Sequence, residues 1–153
     1  MPRALPSGSL HRADEPALAG CALRAAPWDD TAAIHASRVP FDAPADAVAD
    51  LERAAKAGAL AVLAIEDRGE RVGSFFLKKF HRADGYRVLE IAGAYARGIP
   101  EGAAVAAYLP QLENFGRALG CTALQAETSR PGVVALLRSA GWGVSEVRLS
   151  KKL

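Results

Sequence analysis

The sequence predicts an α/β chain of the α+β kind, with one mixed, mostly antiparallel central sheet of about six strands flanked by about four helices. Three observations predict it. Between residues 59 and 96, three apolar runs are joined by tight turns that carry glycine, the pattern of an antiparallel meander. Segments with helical periodicity lie before and after that meander. No internal repeat and no second hydrophobic block divides the 153 residues, a length that suits one domain. The expected order is β-α-α-β-β-β-α-β-α-β, with residues 1–18 as a flexible N-terminal arm and residues 19–153 as the domain.

Each element has a local reason. "CALRAAPW" (Cys21 to Trp28) is a short strand. Asp29 or Asp30 can cap a helix at Thr31, because a carboxylate accepts the free amides of the first turn. Ala33, Ile34 and Val39 give that helix its apolar face, and the prolines of "PFDAP" interrupt it. In "PADAVADLERAAKAGAL", Val48, Leu51, Ala54 and Ala55 recur at helical spacing. Asp46 and Asp50 come early and Arg53 and Lys56 late, as the helix dipole favours, and Gly58 is the stop. "ALAVLAIED", "RVGSFFLKKF" and "YRVLEIAGAYA" are the three meander strands, turned at "DRGE" and at Asp84-Gly85.

After "ARGIPEG" the period changes again. Leu109, Leu112, Phe115 and Leu119 fall on roughly one helical face, Pro110 kinks this helix or starts a second one, and Gly120 ends it. "CTALQAET" is a strand. "SRPGVVALLRSAGW" is a helix capped by Ser129, begun near Pro131 and stopped at Gly141. "GVSEVRLSKKL" reads as a closing strand through Val144, Val147 and Leu149.

Composition bounds the function. Half of the residues are hydrophobic and about a quarter are charged, which is globular composition. A net charge of +2 gives no bulk case for nucleic acid. Two basic clusters, Lys78-Lys79 with His81-Arg82 and Arg148 with Lys151-Lys152, are either solvated strand ends or contacts for an anionic ligand or partner. Cys21 and Cys121 form no CxxC and read as buried small apolar residues. His11, His35 and His81 lack metal-ligand spacing, so no metal is expected. No apolar run approaches the roughly 20 residues of a membrane span, and the N-terminus lacks the continuous apolar core of a signal peptide. A cytoplasmic setting, or the inside of a particle assembled there, is the expectation.

The element order, with a glycine-bearing turn after the fourth strand, resembles the GNAT superfamily of acetyl-CoA-dependent N-acetyltransferases over roughly residues 20–153. "LENFGRALGCTALQAET" resembles that family's helix, Gly-Cys and strand. "VALLRSAGW" resembles its last helix, and "EVRLSKKL" its closing strand. The same combination is similar to small GNAT-like proteins encoded in tailed-phage and prophage genomes.

The resemblance implies acetyl-CoA as cofactor, with its pyrophosphate on residues 97–103. The family's loop, Gln/Arg-x-x-Gly-x-Gly/Ala, is met at Arg97 and Gly102, with Gly98 and Ala103 beside them. Pro100 replaces the first glycine and removes an amide donor, and Glu101 adds a carboxylate. The segment from Gly102 to Gly120 is also longer than the family helix by about one turn. Backbone N–H groups near Ala92 to Ala94 would polarise the acetyl carbonyl. The family's general-acid tyrosine is replaced by Leu137, with Tyr95 and Tyr108 as possible substitutes. Glu90, which interrupts an apolar run, is the candidate base; burial in a cleft would raise its pKa. The alternative for Glu90 is an acid on the solvent side of a strand.

Two function classes are open to such a chain. One is an N-acetyltransferase acting on a small-molecule or protein amine. The other is a non-catalytic GNAT-like phage or prophage protein with a structural or assembly role, whose partners are other virion proteins or itself. No nucleic acid and no membrane is expected as a partner in either.

Overall fold

The computed structural model describes residues 21–41, 44–127, 131–144 and 149–153. Five strands form one sheet in chain order: β1 (Cys21–Ala26), β2 (Leu60–Asp67), β3 (Glu70–His81), β4 (Arg87–Ala96) and β5 (Ala123–Ala126). The first four pair antiparallel, and β4 pairs with β5 in parallel. The β2–β3 turn needs only two residues, Arg68 and Gly69, with φ of 52° and 84°. Two successive left-handed residues match the twist of a hairpin, and glycine adopts this conformation without steric cost.

Helices α1 (Asp30–Ser37) and α2 (Pro44–Lys56) lie between β1 and β2 in sequence. Asp29 caps α1, its Oδ1 accepting from the Ala32 amide at 2.8 Å. The buried face of α1 is Ala32, His35 and Ala36, not the expected Ala33–Ile34 stripe; Ile34 is 52% exposed. The helix turns a histidine inward because a polar partner on β3 receives it.

The segment expected to be one helix after β4 is two, α3 (Glu101–Ala107) and α4 (Leu109–Ala118). They break at Tyr108, where φ is −111°, because Pro110 has no N–H to continue the ladder. Helix α5 (Pro131–Ser139) comes after β5. The described residues thus hold five helices and five strands, where about four and about six were expected. The expected closing strand is not formed at residues 143–144 or 149–153, and residues 145–148 lie outside the described residues. Val144, Leu149 and Leu153 are exposed, so their alternation covers no apolar face. The N-terminal arm and the Ser129 cap also lie outside the described residues.

The sheet carries a core on each face. One packs Leu63, Ile65, Phe75, Leu77, Leu89 and Ile91 with Tyr108, Leu109 and Leu112. The other packs Val62 and Phe76 with Ala32, Ala36, Val39 and Leu51. Cys21 and Cys121 are buried and are not joined in a disulfide, as expected of two lone cysteines.

Candidate functional site

Strand β4 changes character halfway. Phe76 pairs with Gly93 and Leu77 with Ile91, so Ala92 is an extra residue with no partner position on β3. Such a bulge bends its strand and re-aims the residues beyond it. On the other side, β5 accompanies β4 only from Val88 to Ile91. The stretch Ala92–Ala96 therefore runs beyond the end of β5. The segment after α1 crosses this stretch closely: a Cβ on Gly93 would lie 3.1 Å from Phe41 Cζ and 3.3 Å from Val39 Cγ1. A glycine suits this close approach, since a larger residue would need the Phe41 and Val39 side chains to shift.

Beyond Ala96 the chain turns tightly. The Ile99 amide donates to the Ala96 carbonyl at 3.0 Å, and Gly98 has φ of 74°, as the third residue of a type II turn requires. The Arg97 amide donates to the Val72 carbonyl at 2.9 Å. Pro100 is the N-cap of α3 and offers no side-chain cap bond; its carbonyl accepts the first intrahelical bond, from Ala104, at 3.0 Å. The amides of Glu101, Gly102 and Ala103 precede that bond, as in the first turn of any helix. The turn has therefore committed two of its donors to folding, and its proline never had one.

A groove of about 400 Å³ opens beside this turn, lined by Arg38, Pro40, Ala94, Tyr95, Ala96, Gly98, Ile99 and Pro100. Behind its wall runs a polar chain. Arg71 holds both oxygens of Asp29 at 3.1 and 3.0 Å and donates to Ser74 Oγ at 3.1 Å. Ser74 Oγ lies 2.7 Å from His35 Nδ1. Arginine can only donate, so Arg71 fills one lone pair of the Ser74 hydroxyl, and the direction of the Ser74–His35 bond follows the tautomer of the ring. Burial, then the nearby Arg71 and Arg38 charges, push the His35 pKa down, which keeps the ring neutral. Burial works to raise the Asp29 pKa, but the Ala32 amide and Arg71 outweigh it and hold the carboxyl below its usual range. The His35 ring stands 5.0 Å from the Tyr95 ring, centroid to centroid. Arg38 lies over the Tyr95 ring at 5.7 Å and reaches its hydroxyl at 3.4 Å.

The residues singled out from the sequence fall in several places. Ala94 and Gly98 line the groove, and Ala92 is the bulge. Arg97 is exposed and pairs with Glu70 at 3.2 Å. Gly102 sits in a helix–helix contact, where a Cβ would meet Val133 Cγ2 at 3.0 Å. Glu101 and Ala103 head α3. Glu90 is half-buried on β4, opposite Lys78 on β3 and Gln125 on β5, two residues before the bulge. Leu137 is buried in the core. Tyr108 is fully buried and edge-on to Phe75. Its pKa is pushed well up by burial and by the neighbouring Cys21, which removes it from the groove's chemistry. Tyr95 is the phenol that the fold brings to the groove. His35, Arg38, Arg71 and Ser74 were missed. The available signals were the His35–Arg38 spacing at the end of α1 and a lone serine inside the apolar run "VGSFFL".

Among the described residues no cluster of three or more His, Cys, Asp or Glu side chains is placed to hold a metal ion, and no helix is long and apolar enough to cross a membrane.

No protein-family model matches the chain, and no curated protein sequence does. Solved structures do match. A probable acetyltransferase superposes with a TM-score of 0.61 at 16% identity, covering 86% of this chain and 95% of that one. A predicted acetyltransferase from Clostridium acetobutylicum, determined with acetyl-CoA, gives a TM-score of 0.61 at 12% identity over 86% and 96% of the two chains. AAC(6')-Iy, in complex with the bisubstrate analogue CoA-S-monomethyl-acetylneamine, gives 0.59 at 17% identity over 87% and 97%. At these identities the likeness establishes the fold, which is that of the GNAT acetyltransferases.

Proposed function

We propose that the chain is a GNAT-type N-acyltransferase that moves an acetyl group from acetyl-CoA to an amine. The observation that carries this reading is the half of β4 beyond its bulge, which outruns β5 and leads through a tight turn into α3. An extended thioester arm can lie along such a strand half. Neighbours of the same fold that hold acetyl-CoA or a CoA conjugate support the cofactor, and the acetylneamine conjugate supports a small-molecule amine as the acceptor class.

Acetyl-CoA supplies an activated thioester, so the chain needs no nucleophile of its own. The C–N bond forms as the C–S bond breaks; one proton leaves the amine and one reaches the thiolate. Ala92, at the bulge, offers a backbone amide to the carbonyl oxygen. Ala94 and Gly98 form the groove wall, while Gly102 and Ala103 set the first turn of α3. Glu90 is the base of this scheme. The departing thiolate takes its proton from water. Most of the rate would come from holding amine and thioester together.

A second reading is a GNAT scaffold that has lost its chemistry. Pro100, the committed Ile99 amide and the buried Leu137 favour it. Its assignment to a phage or virion rests on the sequence resemblance alone. Calorimetry with acetyl-CoA, paired with a thiol-release assay over a panel of small amines, separates the two. Binding with amine-dependent release of CoA supports the enzyme. Binding without release favours the second reading, and no binding at millimolar ligand sinks the first.

A further inference from the structure

The groove beside the β4–α3 turn is lined by an arginine that the loop motif does not contain. A turn that holds a diphosphate normally does so with converging backbone amides. Here the Arg97 amide serves Val72, the Ile99 amide serves Ala96, and Pro100 has none. The Arg97 side chain, which the motif would assign to phosphate, is paired with Glu70 and does not line the groove. Arg38 does line it, arriving from the end of α1 rather than from the loop.

Three features suit Arg38 to the task. Its charge is uncompensated: among the described residues no carboxylate lies within ion-pair distance of it, whereas Arg71 nearby is neutralised by Asp29. Its Cζ lies over the Tyr95 ring, 5.7 Å from the centroid, and that ring is backed by His35, which in turn bonds Ser74 beside Arg71. A guanidinium pre-oriented on an aromatic face loses little freedom when it takes two oxygens. Its one hydrogen bond into the groove wall, to the Tyr95 hydroxyl, is long at 3.4 Å, so most of its donors remain to give. The rest of the described lining is apolar or backbone, apart from the Tyr95 phenol.

We infer that Arg38 is the diphosphate-binding residue of this groove, a side chain standing in for the amide donors that the turn has lost. The ligand class is an organic diphosphate on an extended thiol arm. This rests on the acyltransferase reading.

The test is calorimetry on the full chain with three probes: CoA, pantetheine (the same arm without phosphates) and inorganic pyrophosphate. The variants are Arg38→Gln, Arg38→Lys and, as a control on β1, Arg24→Gln. The wild type should bind CoA more tightly than pantetheine, and pyrophosphate should compete with CoA. Arg38→Gln should weaken CoA about 10- to 100-fold, the worth of a charge-assisted pair, and leave pantetheine unchanged. Arg38→Lys should recover part of the loss, since it keeps the charge but not the fork. Arg24→Gln should match the wild type. Equal affinity of the wild type for CoA and pantetheine would overturn the assignment and leave the acyltransferase reading standing. So would an Arg38→Gln variant that loses both ligands alike, which marks a packing role through Tyr95. So would one that binds CoA normally but shows a raised KM for an anionic amine, which moves the anion to the acceptor. No binding of CoA or pantetheine by the wild type would sink both readings.

Discussion

The two faces of the sheet are built on different terms. Under α3, α4 and α5 the packing is apolar, from Phe75 and Leu89 on the strands to Leu112 and Leu137 on the helices. Its polar exception is the Tyr108 phenol, sunk among them beside Cys21. Under α1 and α2, Val62, Phe76 and Leu51 share the face with a buried serine and histidine tied to an arginine–aspartate pair. An apolar face tolerates many sequences of the right pattern. A polar one works only if each donor meets its acceptor, so it fixes one arrangement. The candidate groove borders this second face, where His35, Tyr95 and Arg38 stand in line.

That contrast can be broken at several points. The largest expected effect is on the apolar face: Leu89→Ala should cost about 2–5 kcal/mol in urea unfolding, from lost burial plus a cavity. A loss under about 1 kcal/mol would show that this face does not hold the fold. Ser74→Ala comes next. It removes the hydrogen-bond partner of His35 Nδ1 and one acceptor of Arg71, which keeps Asp29, at about 1–3 kcal/mol. The same variant should shift the imidazole nitrogen resonances of His35; unchanged resonances would show that the ring does not bond Ser74 in solution.

Acid should expose the polar face specifically. His35 has its pKa lowered from 6.5 on folding, first by burial and then by Arg71 and Arg38. Below pH 6.5 the unfolded chain takes up a proton that the folded chain refuses. The stabilisation is therefore complete above 6.5 and is lost as pH falls through the lower folded value. Thermal melts from pH 7.5 downward should show a falling Tm through the mildly acidic range, and His35→Gln should flatten that slope. An equally steep slope in the variant would assign it to another group. The smallest effect should come from Tyr108→Phe, which removes a buried hydroxyl from apolar surroundings and should change stability by less than about 1 kcal/mol. It should also leave thiol release intact.

The sequence made the scaffold readable because its signals are local. Arg68-Gly69 announced its hairpin, Asp29 its cap, and Gly58 its helix end. The break at Tyr108 was half-visible in Pro110. What stayed hidden depends on distance along the chain. His35 and Ser74 are 39 residues apart, and only the antiparallel register that sets Ser74 opposite Tyr95 brings the histidine, serine and tyrosine together. At the end of the chain Val144 and Leu149 alternate as a strand would, yet both are exposed, and the residues between them lie outside the described ones. At the turn after β4, Gly98 takes the left-handed turn position, while Gly102 is where α3 meets α5, uses that no local pattern announces. Arg97 matched the loop motif in sequence yet points to Glu70.

The most direct measurement is amide hydrogen exchange across the whole chain with and without acetyl-CoA. The account predicts slowed exchange in the β4 half from Ala92 to Ala96, in the turn through Pro100 and in the first turn of α3, with little change in β1 and β2. Unchanged exchange along β4 at saturating ligand, or protection confined to some other part of the chain, would contradict it.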